Sequence, residues 1–342
     1  MNATSPELQP QMPPQAIVMQ MAMGYMMSQA TGVAAKLYIA DHLKDGAKTI
    51  EELAALTNTH APSLYRLMRA LVSAGFFQRD SENRFSNNVL SEFLRSDHPE
   101  SFRPALHMMS DPEHWNAHGN LLQSIKTGEI AFDYTFGMPV FPYFATHPKA
   151  AEVFDNAMTS FSKSSANAVV ATYDFSDAKT IADIGGGHGR LLATVLKTAP
   201  NAKGILFDQS QVLEGNILDE AGVGDRTETI SGNFFAEIPV VADVYLMKFI
   251  IHDWNDEQSI SILSNLAKSA PTGAKLLLVE TVVEEEFTPS ISKIMDLNML
   301  VMTGGKERTA TEYSELFEKT GFKLTNVYPT PSPMSIVEAV RV

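Results

Sequence analysis

At 342 residues the chain is long enough for two domains with a sizeable core, and its 44% hydrophobic and 19% charged residues are those of an ordinary soluble protein. A net charge of −14 argues against nucleic acid or an anionic membrane as a partner. The absence of cysteine excludes disulfides, thiolate metal ligands and cysteine nucleophiles, and is compatible with the cytoplasmic location expected for this chain.

Residues 1–14 are polar and proline-rich, with no basic stretch leading into an apolar one, so no secretory signal peptide is expected. From Ala16 to Ala40 the chain is apolar, but Gln20, Ser28, Gln29, Thr31 and Lys36 interrupt it. A membrane span needs about 20 predominantly apolar residues, so a buried or subunit-interface helix is the better reading. Its methionines (Met19, Met21, Met23, Met26 and Met27) read as adaptable packing and not as soft metal ligands. Thr49 followed by Glu52 predicts a capped helix start. Ala61 to Leu71 carries apolar residues at helical spacing, Gly75 stops that helix, and Phe76 to Phe85 reads as a hairpin around Asp80-Ser-Glu-Asn83. Helix, helix, hairpin is a winged-helix arrangement. Its second helix offers only Arg66 and Arg69, and residues 1–100 carry eight basic and ten acidic side chains, which leaves them at net −2. A basic footprint is missing, so dimerisation is expected here and DNA binding is not.

Helical texture continues to about residue 165, and from 178 onward strands alternate with helices. Thr180–Ile184, Lys203–Phe207, Thr227–Ile230, Val241–Met247 and Lys275–Val279 are the candidate parallel strands. The expected fold is α/β: a doubly wound, Rossmann-like domain over 178–342, a mostly helical winged-helix domain over 1–110, and a helical linker over 111–177 that contributes to a substrate pocket. Glu284-Glu-Glu286 reads as a solvated loop.

The first of these strands runs into Gly185-Gly-Gly-His-Gly-Arg190 and then into a helix, an arrangement that presents backbone N–H groups to a ligand. The dinucleotide pattern G-x-G-x-x-G fails because its last position is Arg190, and no Lys-Ser or Lys-Thr pair closes a phosphate loop. What remains, Asp183-x-Gly185-x-Gly187-x-Gly189, resembles the first motif of S-adenosylmethionine (SAM)-dependent methyltransferases. Asp208, at the end of the second strand and 23 positions after Gly185, is placed to hydrogen-bond ribose hydroxyls.

Lys248-Phe-Ile-Ile-His252-Asp-Trp254 resembles the fourth-strand motif of class I small-molecule O-methyltransferases, the family of the plant caffeate and isoflavone enzymes, the acetylserotonin enzymes and the bacterial hydroxyneurosporene type. The usual proline after the tryptophan is Asn255 here, read as a loop change of little effect. Lys275-Leu-Leu-Leu-Val-Glu280 and the long signature from Met295 to Thr309 fit the same family, and the resemblance covers about nine-tenths of the chain.

That resemblance implies SAM as cofactor, with S-adenosylhomocysteine as its product. It implies Asp183, Gly185, Gly187, Asp208, Asn233, Phe234 and Lys248 at the cofactor, with Asn233 in place of the usual Asp but still offering a carbonyl to the adenine amino group. His252 is implied as general base, with Glu280 and Glu307 flanking it. Met158, Phe161, Asp296, Met299 and Met302, with Trp115, are implied around the substrate, for which plain core packing is the competing reading of each residue.

The chemistry requires such a set. A phenol with pKa near 10 is only about one part in a thousand ionised at pH 7. A neutral imidazole can take its proton during attack, and a carboxylate on the other ring nitrogen fixes the tautomer. His252-Asp253 could begin a metal site, but no histidine follows and there is no cysteine, so no metal is expected unless oxygen ligands alone complete one. The expected protein is a homodimeric SAM-dependent O-methyltransferase of secondary metabolism acting on a small hydroxylated aromatic or polyene. N- or C-methylation, a non-methylating SAM-binding relative, and a winged-helix regulator remain the alternatives.

Overall fold

The computed structural model describes residues 13–342, so the polar stretch considered for a signal peptide lies, up to residue 12, outside the described residues. Internal contacts divide the chain into two units, up to Asp111 and from Pro112 onward.

The first unit holds α1 (Pro14–Lys36), α2 (Ile39–His42), α3 (Ile50–Thr57), α4 (Ala61–Ser73), the hairpin β1 (Gln78–Arg79) and β2 (Phe85–Ser86), α5 (Val89–Glu92) and α6 (Arg103–Met109). Thr49 and Glu52 form the expected reciprocal cap at the start of α3. Leu53, Leu64, Met68, Leu71, Phe77 and Phe85 make the core of the helix–helix–wing arrangement. The hairpin is shorter than predicted. Its turn is closed by the Asp80 carboxylate, which accepts the N–H groups of Glu82 and Arg84, so few residues are left for ladder pairing.

The second unit opens with α7 (Pro112–Gly119), α8 (Leu121–Thr127), α9 (Ala131–Phe136), α10 (Val140–Thr146) and α11 (Pro148–Thr172). There follow β3 (Thr180–Ile184), α12 (Arg190–Thr198), β4 (Lys203–Asp208), α13 (Ser210–Leu213), β5 (Thr227–Ser231), β6 (Val244–Lys248), α14 (Asp256–Ser269), β7 (Lys275–Glu280), α15 (Ile291–Met302), α16 (Ala310–Thr320), β8 (Phe322–Pro329) and β9 (Ser335–Arg341). The sheet order is β5-β4-β3-β6-β7-β9-β8; the first five strands are parallel, and β9 pairs antiparallel with β7 and β8. The period of two sends Ala182, Ile184, Tyr245 and Met247 to a core with α14 and α16, and Ile181, Val244 and Leu246 to a core with α11 and α12.

Two sequence expectations need correction. The fourth strand begins at Val244 and not at Val241, because the Asp243 side chain accepts the N–H groups of Lys179 and Thr180 and terminates pairing there. Asn255 is no neutral loop change: it is the N-cap of α14, in a reciprocal box with Gln258. The Glu284-Glu-Glu286 stretch is an exposed loop, as expected, with Glu284 accepting from Ser290 and Ser292 at the start of α15.

Candidate active site

Strand order reverses between β3 and β6, the place where an open α/β sheet leaves a crevice beyond its C-terminal strand ends. Asp183 lies in β3 at that crevice. It is 1% exposed, and among the described residues neither carboxylate oxygen has a hydrogen-bond partner. Burial pushes its pKa up to about 7, against the pull of Lys248. A carboxylate buried with so little hydrogen bonding is costly, and a donor or a cation beside it would offset that cost. The Gly187 N–H donates to Asp208 Oδ2 at 2.8 Å, and a Cβ at Gly187 would meet no atom within 4 Å; its φ of +60° is what calls for glycine. Asp208 also accepts the Gln209 N–H at 2.7 Å, and burial raises its pKa.

Lys248 ends β6 half-buried, its ammonium 4.3 Å from the Phe249 ring centroid. Burial pulls it down to about 8, with Asp183 and Glu280 opposing. Asn233 spends its carbonyl on the Phe235 N–H at 2.9 Å, a turn bond that the expectation of an adenine contact did not foresee. Phe234 packs edge-on against Phe235 and Trp254.

Beyond β6 the chain turns sharply. Phe249 adopts φ +55°, strained for a bulky side chain, and its ring stacks on His252 with centroids 5.3 Å apart. His252 sits in a short 3-10 turn, Ile251–Asp253, and is 7% exposed. Its Nδ1–H donates to Glu307 Oε1 at 2.9 Å, which leaves Nε2 as the basic nitrogen, 3.8 Å from Asp253 Oδ1. Glu280, the last residue of β7, stands 3.6 Å from Nδ1. Its other oxygen accepts the Ile250 and Ile251 N–H groups at 3.1 and 3.0 Å. The two flanking glutamates therefore divide the work: Glu307 holds the ring and Glu280 holds the turn beneath it.

Burial alone would lower the imidazole pKa; Glu280, Asp253 and Glu307 outweigh it and raise it to about 10. Burial in turn lifts Glu280 to about 7 and Asp253 to about 6, with His252 opposing in both. His252, Glu280 and Glu307 offer ligand atoms within 4.8 Å of one another, so a cation could in principle be shared by them.

Asp296, half-buried in α15, accepts the Glu307 N–H at 3.0 Å and so steadies the glutamate that holds the ring. Met299 is buried on the same helix, and Met302 belongs to the apolar cluster of Phe132, Val140 and Tyr143. Met158 and Phe161 lie half-buried on α11, and Trp115 half-buried on α7. Sequence reasoning missed two residues, Phe249 and Arg308. Both lie inside quoted motifs, but neither a left-handed phenylalanine nor a fully buried arginine can be read from residue type.

Residues 117–323 match the O-methyltransferase domain family, and residues 19–97 match the O-methyltransferase dimerisation domain. Phenazine O-methyltransferase PhzM of Lysobacter antibioticus is 46% identical over 96% of each chain. The 8-amino-8-demethylriboflavin N,N-dimethyltransferase of Streptomyces davaonensis is 32% identical over 89% of each. An O-methyltransferase from neocarzinostatin biosynthesis, solved with SAM and 2-hydroxy-5-methyl naphthoic acid, superposes with a TM-score of 0.80 at 30% identity, covering 92% of this chain and 96% of that one. With matched domains spanning most of its length, and with the strand-end crevice and the carboxylate-held histidine described above, the chain belongs to the SAM-dependent O-methyltransferase family and is an enzyme of that class.

Proposed function

We propose that this enzyme methylates a hydroxyl on a flat, fused-ring aromatic metabolite of a secondary pathway, as a cytoplasmic homodimer, without a metal, and with His252 as general base. The observation that carries the reading is the 2.9 Å bond from His252 Nδ1–H to Glu307, which fixes the tautomer in which Nε2 can take a proton. The phenazine and naphthoate relatives support a fused-ring substrate.

The crevice residues fit the cofactor. Asp183, with two unbonded oxygens, would hold its ammonium; Asp208 would hold its ribose hydroxyls; the turn at Gly185 and Gly187 would lie against it, with Phe234 and Asn233 at the base and Lys248 nearby. SAM, when bound, supplies a methyl group already activated on a sulfonium, and its positive charge favours the neutral form of His252. The chain's own contribution is then to hold the hydroxyl in line, accept its proton at Nε2, and keep the resulting imidazolium stable between Glu307, Glu280 and Asp253. An N,N-dimethyltransferase shares the scaffold, so the scaffold does not choose the acceptor atom. A histidine braced by carboxylates is what a hydroxyl acceptor needs and a neutral arylamine does not.

His252→Gln tests this. SAM affinity by calorimetry should stay within a few-fold, while turnover on a hydroxyphenazine or hydroxynaphthoate should fall by about 10² to 10⁴ at pH 7. Near wild-type turnover would remove the base. Chelator should leave the wild-type rate unchanged; a loss restored by a divalent ion would instead assign the His252, Glu280 and Glu307 cluster to a metal.

A further inference from the structure

Two residues on either side of Glu307 bear on the turn that carries the histidine. Arg308 is fully buried, and its guanidinium points into the backbone of that turn. Nη1 donates to the Ile251 carbonyl at 3.0 Å and Nη2 to the Trp254 carbonyl at 2.9 Å, the residues that bracket His252 and Asp253. Nη2 also reaches Asp256 Oδ1 at 2.8 Å and Ser259 Oγ at 3.2 Å, and Nε reaches Asp256 Oδ1 at 3.1 Å. Gly305 also lies close against this turn: a Cβ there would stand 2.0 Å from the His252 carbonyl oxygen and 2.5 Å from the Asp253 carbonyl carbon. No side chain fits at that distance.

A buried arginine needs an anion and a full set of acceptors. Arg308 has one carboxylate, Asp256; its other acceptors are the Ile251 and Trp254 carbonyls of the turn, the Lys306 carbonyl and Ser259 Oγ. The planar fork of Arg makes those bonds in one orientation, which the single ammonium of Lys cannot reproduce. Glu307, between Gly305 and Arg308 in sequence, holds the ring of the same histidine whose backbone these two residues hold.

We infer that Arg308 is a positioning residue of the reaction: together with the close contact at Gly305, it fixes the Ile251–Trp254 turn against the segment that carries Glu307 and so sets where Nε2 of His252 stands relative to the acceptor hydroxyl. The inference rests on His252 being the base, as proposed above. Arg308 touches neither substrate nor cofactor in this role; it acts through the turn.

Arg308→Lys keeps the charge and loses the fork. Its kcat should fall about 10- to 100-fold, because a displacement on the order of 1 Å at the reacting centre costs about that much. SAM affinity by calorimetry should stay within two-fold and the substrate KM within a few-fold, a split that general destabilisation does not produce. If Arg308→Lys fails to fold, Asp256→Asn replaces it. Asp256 is more than half exposed at its side chain, and its loss frees one side of the guanidinium, for which a several-fold fall in kcat at unchanged SAM affinity is expected. A folded Arg308→Lys with kcat within two-fold of wild type overturns the inference, as does a kcat loss matched by an equal loss of SAM affinity. If it has to be decided on Asp256→Asn, an unchanged kcat overturns it. His252→Gln measured alongside separates the two claims: normal turnover there defeats the base itself, whereas low turnover there with normal turnover in Arg308→Lys defeats only the positioning role.

Discussion

With Glu307, Glu280 and Asp253 all within 4 Å of its ring, His252 keeps its proton well above the pH at which an isolated imidazole would release it. Glu280 is on β7, Glu307 follows α15, Asp253 is in the same turn as the ring, and Phe249 covers one ring face. A raised histidine pKa stabilises the fold fully below the unfolded value near 6.5, and that contribution is lost as pH rises through about 10. Catalysis needs the opposite state, the neutral ring. A cation bound at the neighbouring crevice lowers the pKa, so cofactor binding near pH 8 should expel protons. Calorimetry in buffers of different ionisation enthalpy measures the number released. Asp183 and Lys248, at about 7 and about 8, contribute too, so the share belonging to the ring is the part that disappears in His252→Gln. A buffer-independent binding enthalpy, or the same release in the variant, would mean that the cofactor does not discharge the base.

Among the elements, α14 begins two residues after the histidine's turn, and its first turn is shared with the site. Asn255 caps it: its side chain accepts the Gln258 N–H at 3.0 Å, and its own N–H donates back to Gln258 Oε1 at 3.3 Å. Asn255→Ala should cost about 0.5–2 kcal/mol, read as a shift of the urea midpoint with an unchanged slope. A midpoint equal to wild type would mean that the cap is satisfied by water. Four of the five parallel strands, β3, β4, β6 and β7, were legible as short, largely buried apolar runs between turns, whereas β5, at the sheet edge and largely exposed, was legible from its Thr and Ile content and the βα rhythm. The antiparallel pair was not. β9 carries Glu338 at a buried position, a pattern that reads as loop, and only the folded chain reveals that the Tyr173 hydroxyl and Thr325 Oγ1 donate to that carboxylate. The site divides in the same way. The neighbourhoods of Asp183, His252 and Glu280 stand out as residues at strand ends. The use of Glu280 Oε1 on two backbone N–H groups and the burial of Arg308 depend on contacts between distant segments that no local pattern encodes.

For the whole molecule, α1 poses a solvation problem that a single chain leaves open. Val18, Met19, Met21, Met23, Tyr25 and Met26 are all exposed, Met21 at 77%, and the helix carries no charged side chain before Lys36. A contiguous apolar surface of this kind marks an interaction site. The residues match a dimerisation domain, and methionine suits a surface that must adapt to a copy of itself. Obligate homodimer interfaces commonly bury 2,000 Å² or more in total, roughly the scale at which a helix of this length can contribute substantially. Light scattering after gel filtration should therefore give twice the 37.5 kDa chain mass down to low micromolar concentration. Met21→Lys with Met26→Lys, which places two buried charges per chain in that interface, should give monomer or aggregate and reduce turnover. A wild-type protein of single-chain mass, or a doubly substituted one that remains a fully active dimer, would show that α1 faces water and not a partner.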